Sequence, residues 1–276
     1  MSHIDSLKQA VIEHDQEYIA SIENLSGDAA KALTQWEGDE LRLDSVQGMS
    51  NGVGKALTPW YGDKLFLNGL KSFEKNSSQA LSGLKVRELF LDGLETLTVE
   101  DAQIISMLKV RTLSLNSLDA LSTEVAQILS NWDGARLYLN GLKTMSTEAA
   151  QALSCWNGYD HLSLNGLESL SVESAHALSR WNGSHLSLNG LDNLSVETAQ
   201  ALSMWKGTHF SLNGFETMSA DTAQALSRWD GSFLCVNGLK TLSVNTAQAL
   251  SVWGRRLYLN GLESLPKEVA QVLAAG

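Results

Sequence analysis

Proline is almost absent: two residues in 276. With no Pro-rich segment and no composition break, nothing marks a hinge or linker, and one elongated domain is expected. Cysteine is as scarce. Cys155 and Cys235 are the only two and fall in different phases of the chain's pattern, so a disulfide framework is not expected. Positive charge is short too. Twenty Lys and Arg against 31 Asp and Glu give a formal net charge of −11, which argues against nucleic acid or an anionic membrane as partner, because both need a cationic surface. No run approaches the roughly 18 apolar residues of a membrane span. The start, MSHIDSLKQAVIEHDQ, has neither a cationic head nor an apolar segment, so a cytoplasmic location is the expectation.

What the chain has is a period. A Leu-x-Leu followed by Asn or Asp recurs, its first position held by Leu41, Leu65, Leu89, Leu113, Leu137, Leu162, Leu186, Phe210, Leu234 and Leu257. The steps are 24 residues, except one of 25 and a last of 23. Such self-similarity predicts a solenoid, in which each unit is too small to bury its apolar face alone and stacks on its neighbours.

The unit from Leu186 to Trp205, LSLNGLDNLSVETAQALSMW, shows the logic. Leu186 and Leu188 share one face of a strand while Ser187 points away. Asn189-Gly190 predicts a bend through residues that tolerate positive φ. Ser195 is a favoured helix N-cap, and Glu197 lies where the helix dipole favours an anion. Ala199, Leu202 and Trp205 then form the buried stripe of a short helix. Gly207, two residues after the tryptophan, is expected to close that helix in the left-handed conformation.

Tryptophan returns at Trp36, Trp60, Trp132, Trp156, Trp181, Trp205, Trp229 and Trp253. An aromatic ladder could be a stacking platform, but the sequence argues for packing. Where Leu84 and Leu108 replace tryptophan, the glycine two residues on becomes Val86 and Val110, so volume is conserved across the pair.

These L-x-L strands, for example Leu137-Tyr138-Leu139 and Leu162-Ser163-Leu164, followed by leucines such as Leu142 and Leu167 and then a helix, resemble the leucine-rich repeat family in a bacterial-type variant. The resemblance implies an α/β fold: a right-handed solenoid with a parallel β-sheet on the concave face and short helices on the convex face. It departs from the common L-x-x-L-x-L-x-x-N-x-L pattern, because Asn140 directly follows the second leucine. Strand alternation then points Asn140 and its equivalents outward. Residues 1–16 are expected to form an N-terminal capping helix, with the stripe Ile4, Leu7, Val11 and Ile12, and residues 17–276 the solenoid, about ten repeats after an incomplete first one.

Three columns face outward in this scheme. The first runs Glu40, Lys64, Glu88, Thr112, Arg136, His161, His185, His209, Phe233 and Arg256. The second includes Arg42, Phe66, Phe90, Ser114, Tyr138, Ser163, Ser187, Ser211, Cys235 and Tyr258. The third is Asn or Asp throughout. The first two vary while the inward slots do not. Candidate partner contacts are therefore Phe66, Phe90, Tyr138, Phe233 and Tyr258 as aromatic anchors, with Arg136, His161, His185, His209 and Arg256 beside them.

Three collinear histidines on strands about 4.8 Å apart suit a single tetrahedral ion poorly, and no metal or other cofactor is expected. His next to Ser recurs three times without a third group, so no catalytic constellation is read and the chain is expected not to be an enzyme. Gly52-Val53-Gly54-Lys55 lacks the spacing and hydroxyl of a phosphate loop. A glutamine column at Gln79, Gln103, Gln127, Gln151, Gln200, Gln224, Gln248 and Gln271 reads as a solvated ladder on the outer helices. The resemblance implies a protein-binding scaffold, a secreted bacterial effector being one form of it, with a protein or peptide partner on the concave sheet. The alternative is small-ligand or glycan binding, metal-assisted or not, on the Asn/Ser/His face. The Leu257 strand is expected to present an edge through which the chain could self-associate.

Overall fold

The first residue of each Leu-x-Leu is the centre of a three-residue strand and is buried in every strand but the last, and its two strand neighbours face away from it. The computed structural model describes residues 3–73 and 81–275; Gln79 of the glutamine column lies outside them. The chain divides into two compact units, Met1–Asp119 with Asn131–Tyr138, and Ala120–Ser130 with Leu139–Gly276.

In the first unit, strands β1 (Glu40–Arg42), β2 (Lys64–Phe66), β3 (Glu88–Phe90), β4 (Thr112–Ser114) and β5 (Arg136–Tyr138) pair in parallel and in chain order. Helices α1 (His3–Glu13), α2 (Gln16–Ala20), α3 (Gly27–Leu33), α4 (Asn51–Leu57) and α5 (Val99–Ser106) accompany them. The second unit holds α6 (Thr123–Leu129), α7 (Thr147–Ser154), α8 (Val172–Leu178), α9 (Val196–Ser203), α10 (Ala220–Leu226), α11 (Val244–Ser251) and α12 (Lys267–Ala275). Its strands are β6 (His161–Ser163), β7 (His185–Ser187), β8 (His209–Ser211), β9 (Phe233–Cys235) and β10 (Arg256–Tyr258), again parallel and in order. The register follows the period, with His161 opposite His185 and Leu162 opposite Leu186. This is the parallel α/β repeat architecture that the period predicts.

The helices start where the sequence places them. Ser195 accepts a hydrogen bond from the Thr198 amide at 3.1 Å, and Ser146, Ser171, Ser219 and Ser243 cap their helices the same way. Each cap satisfies a backbone donor that the first helical turn leaves without a partner. The stretch from Gly52 to Lys55 lies inside α4, so it is helix and not a phosphate-binding loop. At the front, Leu7 and Val11 of α1 are buried, whereas Ile12 of the same stripe is largely exposed.

The core is continuous within each unit. The first inward residue of each pair is fully buried from Leu41 to Leu234, whereas in the last repeat Leu257, Leu259 and Leu262 are half-exposed. In the second unit the tryptophan rings stack face to face: Trp156 on Trp181 at 5.7 Å, Trp181 on Trp205 at 6.1 Å, Trp205 on Trp229 at 5.7 Å. The indole N–H groups of Trp205 and Trp253 donate to the backbone carbonyls of Trp181 and Trp229 at 3.0 and 2.7 Å. Their burial makes the ladder a packing element, as the Leu84/Val86 substitution pattern implies.

Two local expectations are corrected. Gly207 does not adopt the left-handed conformation: α9 ends on Met204 in right-handed helical geometry, and Gly254 alone among the described glycines has positive φ, at 63°. Glycine is required at 207 because the Trp205 ring lies over it. Nor does Gly190 use positive φ. A Cβ there would stand 2.2 Å from the Asn165 carbonyl oxygen, so the constraint is the close approach of one repeat's backbone to the next. Gly254 sits in the 23-residue step, where its left-handed φ absorbs the missing residue.

Candidate partner-binding face

The residues flanking each buried strand leucine form the outward columns, and the two units treat them differently. In the first unit the columns are charged and aromatic. The Arg42 guanidinium lies 3.9 Å from the centroid of Phe66, and Phe66 stacks on Phe90 at 4.3 Å with an 8° interplanar angle. Sandwiched in this way, Phe66 is only 8% exposed. Phe90 and Tyr138 are half-exposed and offer more ring to a partner. Lys64 and Glu40 pair at 2.7 Å, and this hydrogen bond holds the Glu40 carboxyl below its usual range and the Lys64 ammonium above its own.

In the second unit the first column becomes a stack of imidazole and phenyl rings. His185 and His209 face each other at 4.0 Å and 16°, and His209 stacks on Phe233 at 4.1 Å and 7°. Phe233 continues to Tyr258 at 6.5 Å, with the Arg256 guanidinium 5.1 Å from the Phe233 ring. His161 stands 5.8 Å from His185 and is tilted by 39°, so it is outside the parallel stack. Burial, with the nearby charge of His185 second, pushes the His209 pKa below the ordinary imidazole value.

The imidazole edges are engaged. Nδ1 of His185 lies 2.9 Å from Ser184 Oγ and 3.5 Å from an Asp160 carboxylate oxygen, and Nδ1 of His209 lies 2.9 Å from Thr208 Oγ1. Asp160 holds the slot directly before β6. Nε2 of His161 is 3.0 Å from Ser187 Oγ, but that serine is buried and presents no nucleophile to a substrate. Among the described residues no three His, Cys, Asp or Glu side chains converge as metal ligands.

The third column is committed to the scaffold. Asn140 Oδ1 accepts from the Asn165 amide at 2.8 Å, Asn165 from Asn189 at 3.0 Å, Asn189 from Asn213 at 2.9 Å, and Asn213 from Asn237 at 2.8 Å. Serines of the second column reinforce it: Ser163 donates to Asn140 Oδ1 and Ser211 to Asn189 Oδ1, each at 2.7 Å. In the first unit Asp92 plays the same part, accepting from the Asn116 amide at 2.9 Å. These side chains are half-buried and serve the backbone leaving each strand.

A further variable slot, absent from the outward columns read from the sequence, lies directly before each strand. It holds Asp63, Arg87 and Arg111 in the first unit and Asp160, Ser184 and Thr208 in the second. The 24-residue interval between Arg87 and Arg111 was the signal that would have found it. The structure gathers Arg87 and Arg111 with Lys64, Arg136, Asp63 and Glu88 around a concavity of about 200 Å³.

No protein-family model matches the sequence, and no curated protein is similar to it. Among solved structures, the leucine-rich repeat-containing protein LegL7 from Legionella pneumophila is similar, with a TM-score of 0.50 over 78% of this chain and 91% of that one, at 14% identity. A likeness at that identity speaks for the fold alone. Together with the parallel strand and helix repeats, it shows a leucine-rich-repeat solenoid of the α/β class. No helix among the described residues is long and apolar enough to cross a membrane.

Proposed function

We propose that this leucine-rich-repeat chain is a non-catalytic scaffold that presents the outward face of its sheet to a protein or peptide. The observation that carries the reading is the division of labour among slots. Inward leucines, tryptophans and the asparagine ladder repeat with little change, whereas the two outward columns differ from strand to strand and carry half-exposed aromatic rings at Phe90, Tyr138 and Phe233. Pre-stacked rings lose little conformational freedom on binding, which suits them as anchors. Arg136 and Arg256, with His161, His185 and His209, would supply polar contacts around them.

The glycan or small-ligand alternative is weaker. Its natural hydrogen-bonding groups are the Asn and Ser side chains, and those at Asn140, Ser163, Asn189 and Ser211 already bond to one another and to the backbone. A catalytic reading has no residue set to stand on. Photo-crosslinking tests the proposal: a benzophenone amino acid in place of Tyr138 should capture a protein from native extract. The same group in place of Met204, on the helical side, should not. Capture from Met204 alone would place the interface on the helices.

A further inference from the structure

We infer that the Nε2 atoms of His185 and His209 form a paired acceptor for one cation, the ammonium of a lysine side chain on the partner. The inference rests on the reading of the outward sheet face as an interface, and names a group that this face receives. The hydrogen positions follow from what surrounds Nδ1. In His185 it lies 3.3 Å from the Asp160 carbonyl oxygen and 3.5 Å from an Asp160 carboxylate oxygen, groups that only accept. Ser184 Oγ, 2.9 Å away, gives its own hydrogen to the same carbonyl at 3.0 Å. Nδ1 therefore carries the ring hydrogen, and the neutral imidazole keeps a lone pair on Nε2. His209 repeats the arrangement: Thr208 Oγ1 donates to the Ser184 carbonyl at 3.1 Å and so accepts from His209 Nδ1 at 2.9 Å. Neither Nε2 meets a hydrogen-bond partner among the described residues, and both rings are half-exposed. His161 differs, because its Nε2 lies 3.0 Å from Ser187 Oγ, so the open pair is not a plain copy of the repeat.

Ring spacing, charge and donor geometry select an ammonium. The two rings stack at 4.0 Å and 16°. A zinc ion about 2.1 Å from both nitrogens would lie between the rings and off both lone pairs, whereas a donor about 2.9 Å from each sits beyond the ring edges. The formal net charge of −11 favours a cation, and the Asp160 carboxylate behind His185 makes that ring a better acceptor. An ammonium turns three donors freely toward two acceptors, whereas the guanidinium fork matches the two oxygens of one carboxylate. Phe233, stacked on His209 at 4.1 Å, extends an apolar edge along which a lysine stem can lie. Arg256, the cation over Phe233, is two strands from His209 and leaves the pair open.

NMR of the whole chain, 15N-labelled at histidine and held at pH 8 with EDTA, provides the test. Imidazoles with the ordinary pKa of about 6.5 are neutral there. Nα-acetyl-lysine methylamide is the probe and its Nε-acetyl form the control. His185 and His209 should both show the Nδ1–H tautomer, and their Nε2 resonances should move with the probe and not with the control. His185→Phe keeps a ring in the stack, and an unchanged melting curve checks its fold. It should weaken the probe at His209 about tenfold, the loss of one hydrogen bond to a charged group. An Nε2–H tautomer at either ring, equal shifts with the control, or full affinity in the Phe variant would overturn the pair while leaving the aromatic anchors untouched. Probe shifts at both histidines with no capture through Tyr138 would overturn the interface reading and, with it, the partner as the source of the lysine.

Discussion

Trp205 lies flat over Gly207, so that a Cβ added at Gly207 would stand 1.9 Å from Trp205 Cζ2. The same contact recurs at Trp132/Gly134 and Trp229/Gly231. Gly207→Ala should therefore destabilise by about 1 to 3 kcal/mol through overpacking, read from the urea midpoint. Trp205→Leu alone leaves a cavity and should cost a similar amount or more. The pair Trp205→Leu/Gly207→Val reproduces the natural Leu108/Val110 combination and should cost less than the two single effects summed. Simple additivity would show that the pairs at 84/86 and 108/110 do not compensate through shared volume.

The asparagine ladder makes a sharper prediction, because what the slot needs is an acceptor and not an amide. Asn189 Oδ1 receives the Asn213 amide and the Ser211 hydroxyl. Asn189→Ala should cost about 1 to 3 kcal/mol, the penalty of leaving a buried donor unsatisfied. Asn189→Asp should cost much less, since Asp92 already fills the slot in the first unit. Equal losses in both variants, measured by chemical denaturation, would contradict the ladder.

His209 ties stability to pH. Burial and the neighbouring His185 lower its folded pKa, so as pH falls the unfolded chain takes up the proton first. The stability its neutral form contributes is present above the unfolded pKa of about 6.5 and is lost as pH drops through the lower folded value. Wild type should weaken between pH 7 and 5, and His209→Phe, which continues the stack of Phe233, should flatten that slope. Melting temperatures across this range provide the check; parallel curves for the two proteins would remove His209 as the cause.

The fold was legible because its determinants are local and repeated. Leu186 and Leu188 two apart, Ser195 before a helix, and Trp205 with Gly207 each declare a slot, and repetition multiplied the signal. The reasons behind some slots were not legible. Gly190 and Gly207 read as conformational glycines, whereas close approach to Asn165 and to Trp205 fixes them, a contact between or across turns that no spacing rule reveals. Asn140 was expected to face outward and is half-buried; its use as a backbone acceptor depends on where the next repeat's amide falls. The outward columns were readable as positions, but exposure was not. Phe66 is covered by Arg42 and Phe90, and Arg87 with Arg111 became a cluster only once their strands lay side by side.

Binding of a protein to the outward sheet face is measured by quantitative affinity capture from the native cell, comparing wild type with Phe90→Ala/Tyr138→Ala and with Gln200→Ala/Met204→Ala on the helical side. Both pairs have half-exposed or exposed side chains, and an unchanged melting curve for each checks that the fold is kept where Phe90→Ala uncovers Phe66. Wild type and the helical variant should recover one partner equally, and the sheet variant should lose it at least tenfold, the effect of truncating anchor residues worth about 1.4 kcal/mol or more together. Equal recovery by the sheet variant, or selective loss in the helical variant, would contradict it.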